Sequence, residues 1–185
     1  MDASRFRALF VATYPALARY ARHRGLDRDE AEDLIASTFE VAWRRADIVP
    51  EGDEALLWLY TVAFNQLRNL RRRHQRDRDL SLRLRVLEEV APPAEPGDLT
   101  IESIRRALHQ LGDNDRELIL LVAGEGLSPA QAGVVLGCGA VAARTRLHRA
   151  RRRLTGLLEN ERELSRMAPC RHELGENDKT WETSK

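Results

Sequence analysis

Apolar residues in this chain recur at three- and four-residue steps, with no competing two-residue alternation, so the chain has helix stripes to bury and no sheet face to build. Ala31, Leu34, Ile35, Thr38, Phe39 and Ala42 form the clearest stripe, over residues 28–46. Asp27 is placed to cap that helix, and Asp29, Glu30, Glu32 and Asp33 suit its positive end. Phe6, Leu9, Phe10, Leu17 and Ala21 trace an earlier helix over 5–22, in which Pro15 predicts a kink or break. Leu56, Leu59, Ala63, Leu67 and Leu70 predict a third over about 54–76, after a Pro50/Gly52 loop at 47–53. The expected fold is all-α.

Residues 91–98 then hold three prolines and a glycine, a linker composition that cannot bury enough to fold alone. The chain therefore reads as two small helical domains joined by a flexible acidic linker: 1–78, linker 79–99, 100–160, and a polar tail 161–185. Helical patterning restarts at Thr100, with Ile101, Ile104, Leu108 and Leu111 on one face. A helix through Leu118–Val122 is ended by Gly124-Glu125-Gly126.

The formal net charge of +1 over 185 residues conceals its distribution. Residues 61–85 carry eight Arg against two Asp, and residues 140–153 carry six Arg and no acid. Between them, residues 86–104 hold five acids and no base, and residues 27–54 hold ten acids against three Arg. Two cationic blocks around a negative connector point to two polyanion-binding surfaces. A coding bias would account for 28 Arg against two Lys, but not for their clustering. Arg also suits phosphate and base edges through its planar fork.

Ser128-Pro129-Ala130-Gln131 is a capping box with Pro at the first helical position. The short helix it opens runs to Leu136. Gly137-Cys138-Gly139 turns the chain into a long helix from Ala140 to about Asn160, making a helix-turn-helix whose second helix is expected in the major groove. That helix carries Arg144, Thr145, Arg146, His148, Arg149, Arg151, Arg152 and Arg153, with positions 142, 145, 146 and 149 on one side. Its early arginines can reach guanine acceptors and its later ones phosphates, while Leu147, Leu154 and Leu157 face the core. The bland alternative is a basic surface helix in a bundle.

In the N-terminal half, Trp58, Tyr60 and Phe64 stand beside Asn65, Gln66, Asn69, Arg68 and Arg71–Arg73, a combination suited to melted nucleic acid. Taken alone, Trp58 and Phe64 read better as core. The acidic helix presents Glu32, Asp33, Glu40 and Arg44, too negative for DNA and better suited to a protein. No nucleophile–base pair, phosphate-cradling loop or metal cluster is visible, and no cofactor is expected. Cys138 reads as a turn residue, and Cys170-Arg171-His172 lacks the second pair a metal site needs. With no apolar run near about 18 residues, neither a membrane span nor membrane contact is expected; two cysteines and no visible secretory signal favour the cytoplasm.

Taken in order, these pieces resemble the extracytoplasmic-function (ECF) sigma factors of bacterial RNA polymerase. Asp33-Leu34-Ile35-Ala36-Ser37-Thr38-Phe39-Glu40-Val41-Ala42-Trp43-Arg44 is similar to the family's polymerase-docking helix. Trp58-Leu59-Tyr60-Thr61-Val62-Ala63-Phe64-Asn65 followed by Arg71-Arg72-Arg73 is similar to its promoter-melting helix. Glu125-Gly126-Leu127-Ser128 and Arg146-Leu147-His148-Arg149-Ala150-Arg151 are similar to its helix-turn-helix.

The resemblance implies a promoter-specificity subunit that does no bond chemistry. Asp33, Glu40, Trp43 and Arg44 would dock on the clamp helices of the polymerase largest subunit, with the flap as a second contact. Asp47, Ile48, Val49, Asn65, Arg68, Asn69, Arg72 and Arg73 would take the −10 element. Arg116, Arg144, Thr145, Arg146, His148, Arg149 and Arg152 would take the −35 element. An anti-sigma protein is a further partner the resemblance admits. The chain departs from the family pattern at Ala36-Ser37, at Gln131-Ala132-Gly133 and at Ala142-Ala143. Two rivals are a one-component transcription factor on duplex operators, and a helical interaction protein with no DNA role. The sigma reading takes the two arginine-rich faces as separate surfaces, not faces turned toward each other within one body.

Overall fold

A computed structural model describes residues 2–81 and 101–167, with side chains in the first segment described through Arg72. Seven α-helices are present among them. They are α1 (Ala3–His23), α2 (Arg28–Arg44), α3 (Asp53–Ser81), α4 (Ile101–His109), α5 (Asp113–Ile119), α6 (Pro129–Val135) and α7 (Ala140–Met167). A π-helical turn, Leu120–Gly124, continues α5. No strand occurs among the described residues.

The local signals act as their chemistry requires. Asp27 accepts from the Glu30 backbone while the Glu30 side chain accepts from the Asp27 N–H, closing a capping box on α2. Ser128 and Gln131 do the same for α6, with Pro129 at its first position. Pro15 does not break α1, which runs through it. Two residues before it, the Thr13 hydroxyl donates to the Leu9 carbonyl at 2.7 Å, a back-bond of the kind that goes with helix bending. At the other end, α7 passes the expected stop near Asn160 and reaches Met167, so residues 161–167 are helix and not tail. Glu161 pairs there with Arg106 of α4 at 2.9 Å. The expected linker from residue 82 on and the tail beyond Met167 lie outside the described residues.

Helices α1, α2 and α3 pack around Leu17, Tyr20, Leu34, Ile35, Phe39, Leu59, Ala63 and Leu67. Helices α4 to α7 pack around Leu118, Leu121, Ala132, Val135, Ala143 and Leu147. Each fully buried leucine contributes about 1.5–3 kcal/mol. The two clusters are not separate. They join into one core where α3 meets α6 and α1 meets the π-turn. The two halves therefore dock on each other, where the sequence suggested independent modules.

Candidate nucleic-acid interface

Helix α7 follows α6 through a turn at Gly137, whose φ of +68° is a conformation side-chain-bearing residues rarely adopt. Ala143, Leu147 and Ala150 are buried against α6 and α5, so the remaining positions face out. Arg144, Thr145, Arg146, His148, Arg149 and Arg152 are all exposed on this helix. Arg146 is held by Asp115 of α5 at 3.2 Å. Arg116 does not belong with them. It is only 9% exposed, it pairs with Asp113 and contacts His109, and its Nε is buried without a hydrogen-bond partner. Its alternation with acids in Asp113-Asn114-Asp115-Arg116 gave no hint of burial, because α5 is too short to show a stripe.

On α3, Asn65, Arg68, Asn69 and Arg72 are exposed along one side. Asn65 donates to the Thr61 carbonyl, and the Arg68 guanidinium lies 5.5 Å from the Phe64 ring centroid. Phe64 is core and Trp58 half-buried, as the bland reading of those aromatics held. In the loop before α3, Asp47 and Ile48 are exposed, but Val49 is only 5% exposed. Its side chain sits in the core while its carbonyl accepts from Arg5, so the structure places Val49 among the packing residues, unlike the exposed Asp47 and Ile48. Arg73 lies in α3, with its side chain outside the described residues.

The outer face of α2 exposes Asp33, Glu40, Trp43 and Arg44. Trp43 keeps 50% of its surface in solvent while its ring meets Phe6 edge-on at 5.1 Å between centroids. Glu40 and Arg44 form an exposed i,i+4 pair.

Between the halves lies a feature the sequence did not announce. A cleft of about 950 Å³ is lined by Arg68, Arg71 and Arg72 of α3 and by His109, Arg116 and Arg146 of the second half. Burial lowers the pKa of Arg71, and like-charge repulsion from Arg116 lowers it further. Part of each arginine-rich face is thus turned toward the other, contrary to the expectation of separate surfaces. Arg144, Arg149 and Arg152 stay outside this cleft.

The Sigma-70 region 2 family matches residues 9–77, and the Sigma-70 region 4 family matches residues 101–154. The chain belongs to the Sigma-70 family, in its ECF group. It is a promoter-recognising initiation factor of RNA polymerase.

Relatives agree on the group. This sigma factor is 30% identical to the ECF RNA polymerase sigma factor EcfG of Rhodopseudomonas palustris over 151 residues, 80% of this chain and 82% of that one. It is 36% identical to the RNA polymerase sigma factor CarQ of Myxococcus xanthus over 171 residues, 87% and 94% of the two chains. Among solved structures it is similar to the sigma factor RpoE, in complex with the anti-sigma factor NepR, from Bartonella quintana. That likeness has a TM-score of 0.67 and 29% identity, over 85% of this chain and 98% of that one. It is also similar to CnrH, in complex with the cytosolic domain of CnrY, with a TM-score of 0.62 and 26% identity over 86% and 91% of the chains. Among the described residues, no helix is long and apolar enough to cross a membrane, and no group of side chains could hold a metal.

Proposed function

We propose that this sigma factor divides its work among three faces of one chain. The outer face of α2, with Asp33, Glu40, Trp43 and Arg44, docks on the clamp helices of the polymerase largest subunit. The face of α3 with Asn65, Arg68, Asn69, Arg72 and Arg73, together with Asp47 and Ile48, takes the melted −10 element. The outer face of α7 takes the −35 duplex through Arg144, Thr145, Arg146, His148, Arg149 and Arg152. The functional division follows at residues 1–78, 79–99, 100–160 and 161–185, the last segment beginning within α7, with the acidic connector running into the polymerase cleft toward the RNA path.

The observation that carries this reading is the set of six exposed polar and basic side chains that wrap α7 outside the buried stripe of Ala143, Leu147 and Ala150. A helix so patterned places early residues at base edges and later ones at phosphates. The chain breaks no bond itself. Strand opening costs a few kcal/mol per unstacked step, and trapping of the melted strand by α3 offsets part of that cost. The work is cytoplasmic. An anti-sigma protein is a proposed partner, supported by the likeness to the two complexes with NepR and CnrY.

Runoff transcription tests the proposal. Purified chain with bacterial core polymerase should start transcripts at a cognate promoter, and Arg149→Ala should reduce them. Absence of any transcript on a promoter library would overturn it.

A further inference from the structure

Helix α7 buries Ala143, Leu147 and Ala150, and these set which of its positions point furthest from the core. At about 100° per residue, positions 141, 145 and 152 stand most directly opposite that stripe, with 148 and 149 to either side. The row expected from the sequence, 142, 145, 146 and 149, is turned from this line by about 60°. Arg146 accordingly lies near enough to the core to reach Asp115. The expected row also left out the residue that leads the outward line, Val141.

Val141 keeps 73% of its surface in solvent and is not among the side chains packed against the core. A single exposed valine is ordinary on a protein surface, and exposure alone assigns it no role. Its place does. It lies in the first turn of the second helix of a helix-turn-helix, the part whose side chains meet base edges in a major groove. Ala142 beside it is also exposed and carries only a methyl, so no bulkier neighbour on that side holds Val141 away from a base. Arg144, Arg149 and Arg152 are exposed on the same helix, and residues 140–153 hold six Arg and no acid. That charge suits the surface to a polyanion and not to an apolar protein partner.

An isopropyl group has no donor and no acceptor. Against the edge of guanine, adenine or cytosine it would strip water from polar atoms and return no hydrogen bond. The apolar feature that the major groove does offer is the 5-methyl group of thymine.

We propose that Val141 is a specificity-determining residue that packs its isopropyl group on the 5-methyl of a thymine in the −35 duplex. This rests on the assignment of the α7 face to that duplex. Val141 favours thymine through the apolar contact and disfavours the other bases by leaving their polar edges unpaired. The arginines of the same helix supply affinity through phosphates, and the valine supplies choice at one base pair.

The test uses holoenzyme assembled from the full chain and bacterial core polymerase. Selection from a promoter library randomised across the −35 duplex gives the preferred sequence. Each thymine in it is then replaced in turn by deoxyuridine, which removes the methyl and nothing else. At one position the replacement should weaken wild-type binding about threefold to fivefold, the worth of one buried methyl. Val141→Ala, a change to the best helix former at an exposed position, should bind the thymine and deoxyuridine duplexes at that position alike. Arg149→Ala should weaken both by the same factor and keep the thymine preference. The deoxyuridine series on the unmodified chain is a readout that no misfolding can confuse. Wild type that binds every deoxyuridine duplex as tightly as its thymine counterpart would overturn the proposal. So would a selected sequence with no thymine on either strand, or a methyl preference that survives whole in Val141→Ala. Selection that returns no −35 preference at all would instead refute the assignment of α7 to the −35 duplex.

Discussion

Arg146 Nε lies 3.2 Å from Asp115 Oδ1, so an arginine of the α7 outer face is already paired with its own domain. Binding DNA requires that pair to be exchanged for phosphate or a base edge. Asp115→Asn should therefore strengthen binding to a −35-only duplex, while Arg146→Ala should weaken it and reduce the salt slope by about one. Fluorescence anisotropy across a salt series checks both signs. If Asp115→Asn weakens binding, the aspartate positions the arginine for DNA and the competition argument fails.

Arg149 is exposed and has no ion pair among the described residues, and it stands outside the interdomain cleft. Arg149→Ala should cost about 1–3 kcal/mol on the −35 duplex if it reads a base. Arg72→Ala should leave that duplex nearly unaffected and weaken a pre-melted −10 strand. A gel-shift series with the opposite ranking would reassign the two faces.

Trp43 keeps half its surface in solvent on an acidic helix while the rest of its ring packs against Phe6. Large aromatics at the centre of an interface dominate its energy. Trp43→Ala should lower core polymerase affinity by about tenfold or more, a larger effect than the roughly 0.5–1.5 kcal/mol of stability lost with its Phe6 contact. Equal polymerase affinity in a pull-down titration would move the docking face elsewhere.

Gly133 replaces a side-chain-bearing residue of the usual family pattern, and the packing shows why. A Cβ there would stand 2.9 Å from the Cys138 carbonyl oxygen and 3.0 Å from the Ala143 Cβ. Alanine adds up to about 1 kcal/mol of helix propensity. The overlap with backbone at the helix-turn-helix corner costs about 1–3 kcal/mol and should win. Gly133→Ala should lower the melting temperature. A rise would show that α6 and α7 can move apart freely.

His109 is held below the ordinary histidine value, first by burial and then by Arg116, Arg71 and Arg105, with Glu102 opposing. Its Nδ1 lies 3.3 Å from Arg116 Nη1, a contact that suits the neutral ring as acceptor. A histidine with a lowered folded pKa favours the unprotonated fold. Its stabilisation is whole above about pH 6.5 and is lost as the pH falls below that value. An NMR titration should find His109 below 6.5, moving upward in Arg71→Gln, because Arg71 reaches it from across the domain boundary. Titration at or above 6.5 in the wild-type chain would contradict the arrangement.

Much of the architecture was legible because it is local. The α2 and α6 capping boxes act over three residues, and stripes such as Leu34/Thr38/Phe39/Ala42 repeat within one helix. The helix-turn-helix and the exposed arginines of α7 were readable for the same reason. The corrections share the opposite cause. Val49 and Arg116 sit in a loop and a seven-residue helix, too short for periodicity to separate an inner from an outer position. Glu117 left one usable sign, a carboxylate immediately before the apolar run Leu118–Val122, where a buried charge would need a partner.

Sequence alone determined that the chain is helical, that it carries two basic helices and an acidic one, and which relatives it resembles. Those properties depend on side chains a few positions apart. Tertiary structure alone decided that Arg24 meets Glu117 and Glu125, 93 and 101 residues away, and that the two halves close over a shared arginine-lined cleft. A charged residue looks the same in a sequence whether water or another charge will surround it. Only the meeting of distant faces settles which.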